Sequence, residues 1–360
     1  MNNVNDSYTE DYNSLVKKGL VNSVGLFKAT NDVDEQSLDF FTYAEKYVAK
    51  MKEDGRGKSA KNYEVSVNNL QKFLGCRTID FNKMTAVFFY KYHTWMLRKG
   101  LGNRGQELYL GSIRKIFNEA VLEYNDYDTG EILIRVSPFK RFKVPTFIYT
   151  NNAEKKALSV ETIRKIFAYQ PQTSREALAK DIYTLSFCLC GMNAADLYAC
   201  DKFDSNSKKL TYYRAKTKSR RADGAEMQIT FPAEVEHLLS KYGSSSVGSG
   251  VFNFSKHYAN VDNFSRAVNR GLKRIGKNKN VGVARLTLYT ARHSWATIAV
   301  NDLGIPEEQV DDCLAHAPMR KMLHRYVKKD WSKIDKTNRK VLDYVFGVAA
   351  GGNCRQLSLF

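Results

Sequence analysis

Between Leu38 and Tyr124 apolar residues return every three or four positions, in four blocks separated by turn-forming residues. That period fits helices with one buried stripe and excludes strands, whose apolar residues alternate. The first block carries Leu38, Phe41, Ala44, Tyr47, Val48 and Met51 and stops at Asp54-Gly55. The second runs from about Ser59 with Tyr63, Val67, Leu70, Phe73 and Leu74. The third opens on Thr85, a helix-capping residue, carries Phe88, Phe89, Tyr92, Trp95 and Met96, and stops at Gly100. The fourth spans about 104–124, with Leu110, Ile113, Phe117, Ala120, Val121 and Tyr124. Four such stripes can be hidden only against one another, so a four-helix bundle is expected over about 35–125.

The rest of the chain falls into segments on the same logic. Residues 1–34 are polar and weakly patterned, an expected flexible arm. Ser137-Pro138 and Pro145, among Lys140, Arg141 and Lys143, resist helix continuation and place a basic linker at 136–157 after a helical domain at 35–135. A second domain is expected over 158–348. Within it Ser159 should cap a helix, REALAKDIYTLSFCLC should be a buried spine, and Asn193 followed by Asp196 resembles a capping box. The period then changes to two at Leu210 and Tyr212, and at Met227, Ile229 and Phe231, around a turn with Asp223-Gly224. That is a β-hairpin whose connection is the basic run RAKTKSRR. Helices are expected again at about 232–241 and 261–275, and once more around Val341, Leu342, Tyr344 and Val345 before a tail at 349–360. The fold class is mainly α with a small β-hairpin sheet.

Composition enters through charge. A net charge of +18 on 360 residues points to a polyanion, provided the basic residues cluster. They do: from Asn263 to Asn301 there is no Asp or Glu, while Arg266, Arg270, Lys273, Arg274, Lys277, Lys279, Arg285 and Arg292 all fall there. We expect DNA contacts from Arg266, Arg270 and Lys273, from Arg214, Lys218 and Arg220 of the hairpin, and from Arg114 and Lys140 nearer the N-terminus. The six cysteines form no CxxC pair and read as reduced core thiols. No apolar run reaches a membrane span of about 20 residues, and the polar N-terminus is not a signal peptide, so a cytoplasmic, nucleoid-associated protein is expected.

The stretch from Leu286 to Tyr326 carries the chemistry. Cleaving a phosphodiester without a metal needs a nucleophile, cationic donors on the nonbridging oxygens and an acid for the leaving hydroxyl. Arginine suits the second role because its fork binds two oxygens at once. Tyrosine can serve as covalent nucleophile where cations favour the phenolate. Tyr326 stands among Arg325, Lys328 and Lys329, with Arg292 and His316 upstream. His293, His316 and His324 lack a carboxylate or cysteine at zinc-ligand spacing, so no metal or other cofactor is expected.

Arg292 in TARHSWAT, His316 in LAHAPMRK and Tyr326 in HRYVKKDW resemble the second arginine, the late histidine and the nucleophilic tyrosine of the tyrosine recombinase (phage integrase) family. Gly304-Ile305-Pro306 and the order of the motifs are similar as well, over roughly residues 36–346. The resemblance implies a SAM-like core-binding domain followed by an integrase-type catalytic domain with the DNA breaking-rejoining fold. It also implies site-specific recombination through a 3′-phosphotyrosyl intermediate, double-stranded DNA as partner and a homo-tetramer on paired sites. Lys216 in YYRAKT matches the family's hairpin lysine, whose implied role is acid to the leaving 5′ oxygen.

Two positions depart from the pattern. Where the family has its first arginine, GMNAADL offers Asn193, and Tyr289 stands where a histidine usually precedes Arg292. Such variants resemble a branch carried by mobile elements of anaerobic gut bacteria. Another basic residue, Arg220 or Arg285, is expected to fill the gap at Asn193. A catalytically impaired DNA-binding protein of the same fold and a type IB topoisomerase-like enzyme remain alternatives. The family's separate arm-binding domain is not expected within the few residues before Leu38. The final QLSLF resembles the peptide by which bacterial proteins dock on the replication sliding clamp; packing onto a neighbouring protomer is the alternative.

Overall fold

The computed structural model describes residues 38–147, 157–221, 223–244, 250–316 and 330–347, with the backbone alone for Arg220. The chain divides into two compact units between residues 150 and 151.

The first unit is the expected bundle: α1 (Phe40–Glu53), α2 (Gly57–Leu74), α3 (Ala86–Arg98) and α4 (Asn103–Tyr124). The caps explain the boundaries. Asp39 accepts the Thr42 N–H at 2.8 Å, Thr85 accepts that of Phe88 at 3.4 Å, and Gly75 closes α2 in the left-handed region at φ 72°. Phe40, Phe81, Phe88, Phe89, Tyr92 and Phe117 fill the core. After α4 the chain forms a short antiparallel pair, β1 (Asn125–Asp126) and β2 (Glu131–Ile132), which the sequence pattern does not reveal. Pro138 opens a single turn, α5 (Pro138–Arg141), and Phe142 is fully buried against Phe89 and Phe139. The prolines therefore end α-helical continuity without ending the first unit's core.

The second unit is built on α7 (Ser174–Cys188), preceded by α6 (Val160–Phe167), which Ser159 caps through the Thr162 N–H at 3.2 Å. Residues 182–188 of α7 are all buried, as expected of a spine. A short helix, α8 (Ala194–Tyr198), leads into a three-stranded antiparallel sheet in the order β3 (Lys202–Asp204), β4 (Lys209–Tyr213), β5 (Glu226–Thr230). The hairpin pairs Leu210 with Ile229 and Tyr212 with Met227; β3, too short to show a period, adds the third strand. Then come α9 (Glu236–Tyr242), α10 (Phe254–His257) and α11 (Val261–Lys277). Phe264, Val268, Leu272 and Ile275 of α11 face the core, and Gly271 lets it approach α7: a Cβ there would stand 2.5 Å from that of Ala179.

The last part is α12 (Leu288–Thr297), a π-helical turn at Ile298–Asp302, α13 (Glu307–Cys313) and α14 (Trp331–Phe346). Gly304, at φ 61°, makes the bend between the π turn and α13. Asp335 ties α14 to the sheet, accepting the N–H and hydroxyl of Thr230 at 2.7 Å each. Cys188, Cys190, Cys200 and Cys313 are buried free thiols, and Cys76 is a half-buried one. Among the described residues no helix is long and apolar enough to cross a membrane.

Candidate functional site

The site begins where α7 ends. The turn after Cys188 is closed by the Met192 N–H on Ser186 O at 3.1 Å and by the Ser186 hydroxyl on Met192 O at 2.7 Å. Cys190 and Gly191 both take left-handed backbone, at φ 54° and 66°. Gly191 is required twice over, since a Cβ there would lie 2.5 Å from the Cα of Arg292. This close approach lets Arg292 Nη1 donate to Gly191 O at 3.2 Å. The helix that carries Arg292 is held by a buried strut: Trp295 Nε1 donates to Asn338 Oδ1 at 2.9 Å, and Asn338 Nδ2 donates to Cys188 O at 2.7 Å. Sequence elements far apart thus fix one guanidinium.

Three arginines converge on three consecutive carbonyls after α13. Arg292 Nη2 donates to Leu314 O at 2.5 Å, Arg214 Nη1 to Ala315 O at 2.6 Å, and Arg221 Nη1 to His316 O at 3.1 Å. Arg214 follows β4, where Leu210, Tyr212 and Arg214 all point inward, and its N–H continues the ladder to Ala225 O at 3.1 Å. Ala315, at φ 54°, turns the chain so that the three carbonyls lie within reach.

The charge balance of this cluster decides what it can hold. Arg292 and Arg214 are each only 8% exposed, and among the described residues neither forms an ion pair. Arg221 differs, since Asp223 neutralises it. Burial, then the neighbouring Arg214 charge, pushes the Arg292 pKa down, against the opposing pull of Tyr212, Tyr289 and Asp196. Asp196 is the nearby buried carboxyl; burial pushes its pKa up, while it accepts the Ala215 N–H at 2.8 Å and the Asn193 amide at 3.4 Å. Two buried, unpaired guanidiniums are costly unless an anion completes them. The cluster can therefore accept an anion, and its planar forks suit phosphate oxygens.

His316 joins it in a defined tautomer. Its Nδ1 lies 2.6 Å from Asp311 Oδ1, and Arg292 Nη2 lies 3.2 Å from its Nε2. A guanidinium can only donate, so Nε2 accepts and Nδ1 carries the proton to Asp311. Burial first lowers the His316 pKa; the Asp311 bond raises it, and Arg292 and Arg214 lower it again. The net shift is downward, which keeps the ring neutral with a basic Nε2 beside the arginines.

The other expected residues are dispersed. Tyr289 is 53% exposed, with its ring perpendicular to that of His293 at 4.6 Å between centroids. Lys216 is exposed in the turn after β4, and Lys218 lies 4.9 Å above the Tyr213 ring. Arg266, Arg270, Lys273 and Lys277 form an exposed row on α11. In the first unit Lys140 is exposed, and Arg114 lines an open groove with Arg56 and Arg104. Arg285 is exposed and makes no hydrogen bond or ion pair among the described residues. Asn193 does stand at the N-cap of α8, but its side chain makes no capping bond and turns to Asp196 instead. Tyr326, His324, the Arg220 side chain and QLSLF lie outside the described residues.

Asp311 was not anticipated, Asp196 was read only as a capping partner, and Arg221 only as part of a basic run. Arg214, expected among the DNA contacts, is buried inside the cluster. Its signal was present, because Leu210, Tyr212 and Arg214 continue one alternation. Asp311 had no such signal, since its contact to His316 depends on the left-handed turn at Ala315.

Residues 39–127 match the family described as phage integrase SAM-like domain. No curated protein sequence matches the chain. Among solved structures the chain is similar to a lambda integrase tetramer bound to a Holliday junction, with TM-score 0.54 and 14% identity over 91% of this chain and 90% of that one. It is similar to a lambda integrase dimer bound to a COC′ core site, with TM-score 0.51 and 14% identity over 81% and 99%. The Tn1549 transposon integrase in complex with a circular intermediate DNA gives TM-score 0.52 and 11% identity over 82% and 98%. The chain thus has the integrase fold, mainly helical with a small antiparallel sheet, and carries an N-terminal SAM-like domain.

Proposed function

We propose that this protein is a site-specific DNA recombinase that cuts and rejoins strands through a 3′-phosphotyrosyl intermediate at Tyr326. The observation that carries this reading is the convergence of two buried arginines, unpaired with any carboxylate among the described residues, and a neutral histidine on the turn at Leu314–His316, with His316 ten residues before Tyr326. In the first step the Tyr326 oxygen attacks a backbone phosphorus. The new bond joins that oxygen to the 3′-phosphate, and the bond to the 5′ oxygen breaks. Nε2 of His316, released as Arg292 turns its donor to the phosphate, takes the phenolic proton, and Lys216, exposed, supplies one to the leaving 5′ oxygen. Arg292 stabilises the charge that builds on the nonbridging oxygens. Tyr289, beside Arg292, donates its hydroxyl where the family has an imidazole. A 5′-hydroxyl from a partner strand then reverses the step and reseals the backbone. No external energy is needed because one ester replaces another.

The exposed row on α11, Lys218, Arg220, Arg114 and Lys140 hold the duplex through its phosphates. Pairs of sites are brought together by a homo-tetramer, as lambda integrase forms on a Holliday junction. The changes at Asn193 and Tyr289 support a place among recombinases of mobile elements in anaerobic gut bacteria, which the DNA flanking the gene tests. QLSLF docks on the replication sliding clamp; equal capture by purified clamp after deletion of residues 356–360 removes that part of the proposal.

A pool of nicked duplexes with randomised centres, enriched for covalent attachment to the protein, yields the target sequence. Two copies of it on one plasmid should give recombinant circles with the wild-type protein and none with Tyr326→Phe. Relaxation of plasmids lacking the sequence, without recombinants, assigns a topoisomerase. Binding without adducts in any duplex assigns a DNA-binding protein that has lost catalysis.

A further inference from the structure

We propose that Arg214 provides the guanidinium that the chain lacks at Asn193, so that the phosphate clamp of this protein is Arg292 plus a hairpin arginine. The inference rests on the reading of the site as a phosphodiester-transfer centre. A phosphorane bears charge on two nonbridging oxygens, and one buried arginine can neutralise only part of it. Asn193 is uncharged and already donates to Asp196. Its own position therefore supplies no second cation.

Arg214 meets the requirements of placement, charge and spare donors. It grips Ala315 O, the carbonyl next to the one that Arg292 grips, and both lead directly into His316. It is 8% exposed and, among the described residues, has no carboxylate partner. Its Nε is buried with no hydrogen-bond partner there, a donor whose desolvation is uncompensated in the free protein. Its charge reaches the same groups as that of Arg292, since it lowers the pKa of Arg292 and of His316. The rival arginines fit less well. Arg221 is neutralised by Asp223 and Arg285 points to solvent. Asp196 offsets the pair only in part: among the described residues it forms no ion pair with either arginine, and burial raises its pKa. Asn193, bonded to Asp196, holds in place the carboxyl that receives the backbone just after Arg214.

The test uses the full chain, the nicked duplex recovered from the randomised pool, and the same duplex with a methylphosphonate at the scissile position. The methylphosphonate removes one nonbridging charge, so it relieves the need for one guanidinium but does not repair a misfolded site. Arg214→Ala should form the Tyr326 adduct about 100- to 1000-fold more slowly than wild type on the phosphodiester. On the methylphosphonate the difference should shrink to less than about tenfold. Arg214→Lys, which keeps the charge but loses the fork, should fall between the two on the phosphodiester. Equal deficits on both duplexes for both variants, with unchanged melting, would overturn the proposal and leave Arg214 as a support for Ala315. Wild-type rates for Arg214→Ala would overturn it too. If wild type itself forms no adduct on any duplex, the phosphodiester-transfer reading fails, and this inference with it.

Discussion

The second unit presents arginines in two settings, and they differ in more than exposure. On α11, Arg266, Arg270 and Lys273 line one helix face in water, and Arg266 satisfies itself within its own helix through Asp262 O and Asn263 Oδ1. At the turn after α13, Arg292 of α12 and Arg214 after β4 are buried, unpaired among the described residues, and fixed by backbone carbonyls. The first setting places charge where counterions and solvent screen it, which suits holding a polyanion by many weak contacts. The second withdraws charge from solvent and orients it before any ligand arrives, which suits a single phosphate whose charge grows during reaction. Density of basic residues in the sequence marks the first; the second is made by burial.

The contrast breaks most directly at Arg292. Arg292→Ala should reduce adduct formation by at least about 1000-fold while leaving duplex affinity within about threefold, because the rest of the basic surface still holds the strands. Equal losses in binding and chemistry would erase the distinction between the two settings. Gly191→Ala is next. It should lower stability by about 2–4 kcal/mol, read by chemical denaturation, since the new Cβ meets the Arg292 backbone at left-handed φ. An unchanged midpoint would mean that the turn does not set the position of Arg292.

Asp311→Asn should slow adduct formation by about tenfold or more, because an amide holds the His316 Nδ1–H less firmly. The pH profile sharpens this. The folded pKa of His316 is depressed, so its contribution is fully present above the unfolded histidine value of about 6.5 and is lost as pH falls through the lower folded value. Protonated Nε2 cannot accept from Arg292, so the rate should fall on that same acid side. Because Asp311 raises the His316 pKa, Asp311→Asn should move the acid limb to lower pH; movement to higher pH would refute the assigned tautomer. The smallest effect belongs to α11: Lys273→Ala should weaken binding uniformly across sequences and reduce the salt slope by about 1. A sequence-selective loss would move α11 from holding the backbone to reading bases.

The same contrast explains what could be read before the structure. The four helices of the first unit were legible because each stripe of Phe, Tyr and Leu repeats at helical spacing and each boundary carries a residue with one physical job, such as Thr85 or Gly75. Arg292 and His316 were legible as motifs, but their joining was not. It depends on Gly191 allowing contact across 101 residues and on the turn at Ala315 presenting three carbonyls at once. The burial of Arg214 was not read, because a basic residue in a basic run reads as solvated, whereas its place in the strand alternation points inward. The two short strands β1 and β2 and the strand β3 were missed for want of length: two or three residues show no period.

The central claim is that the buried arginine pair serves a phosphate attacked by Tyr326. The most direct measurement is mass spectrometry of the protein trapped on the recovered nicked duplex, after exhaustive nuclease and tryptic digestion. The expected result is a peptide containing Tyr326 that carries a nucleotide 3′-phosphate, absent from Tyr326→Phe and released with a free 5′-hydroxyl on the other strand end. A nucleotide on any other residue, or on Tyr326 through a 5′-phosphate, would contradict it.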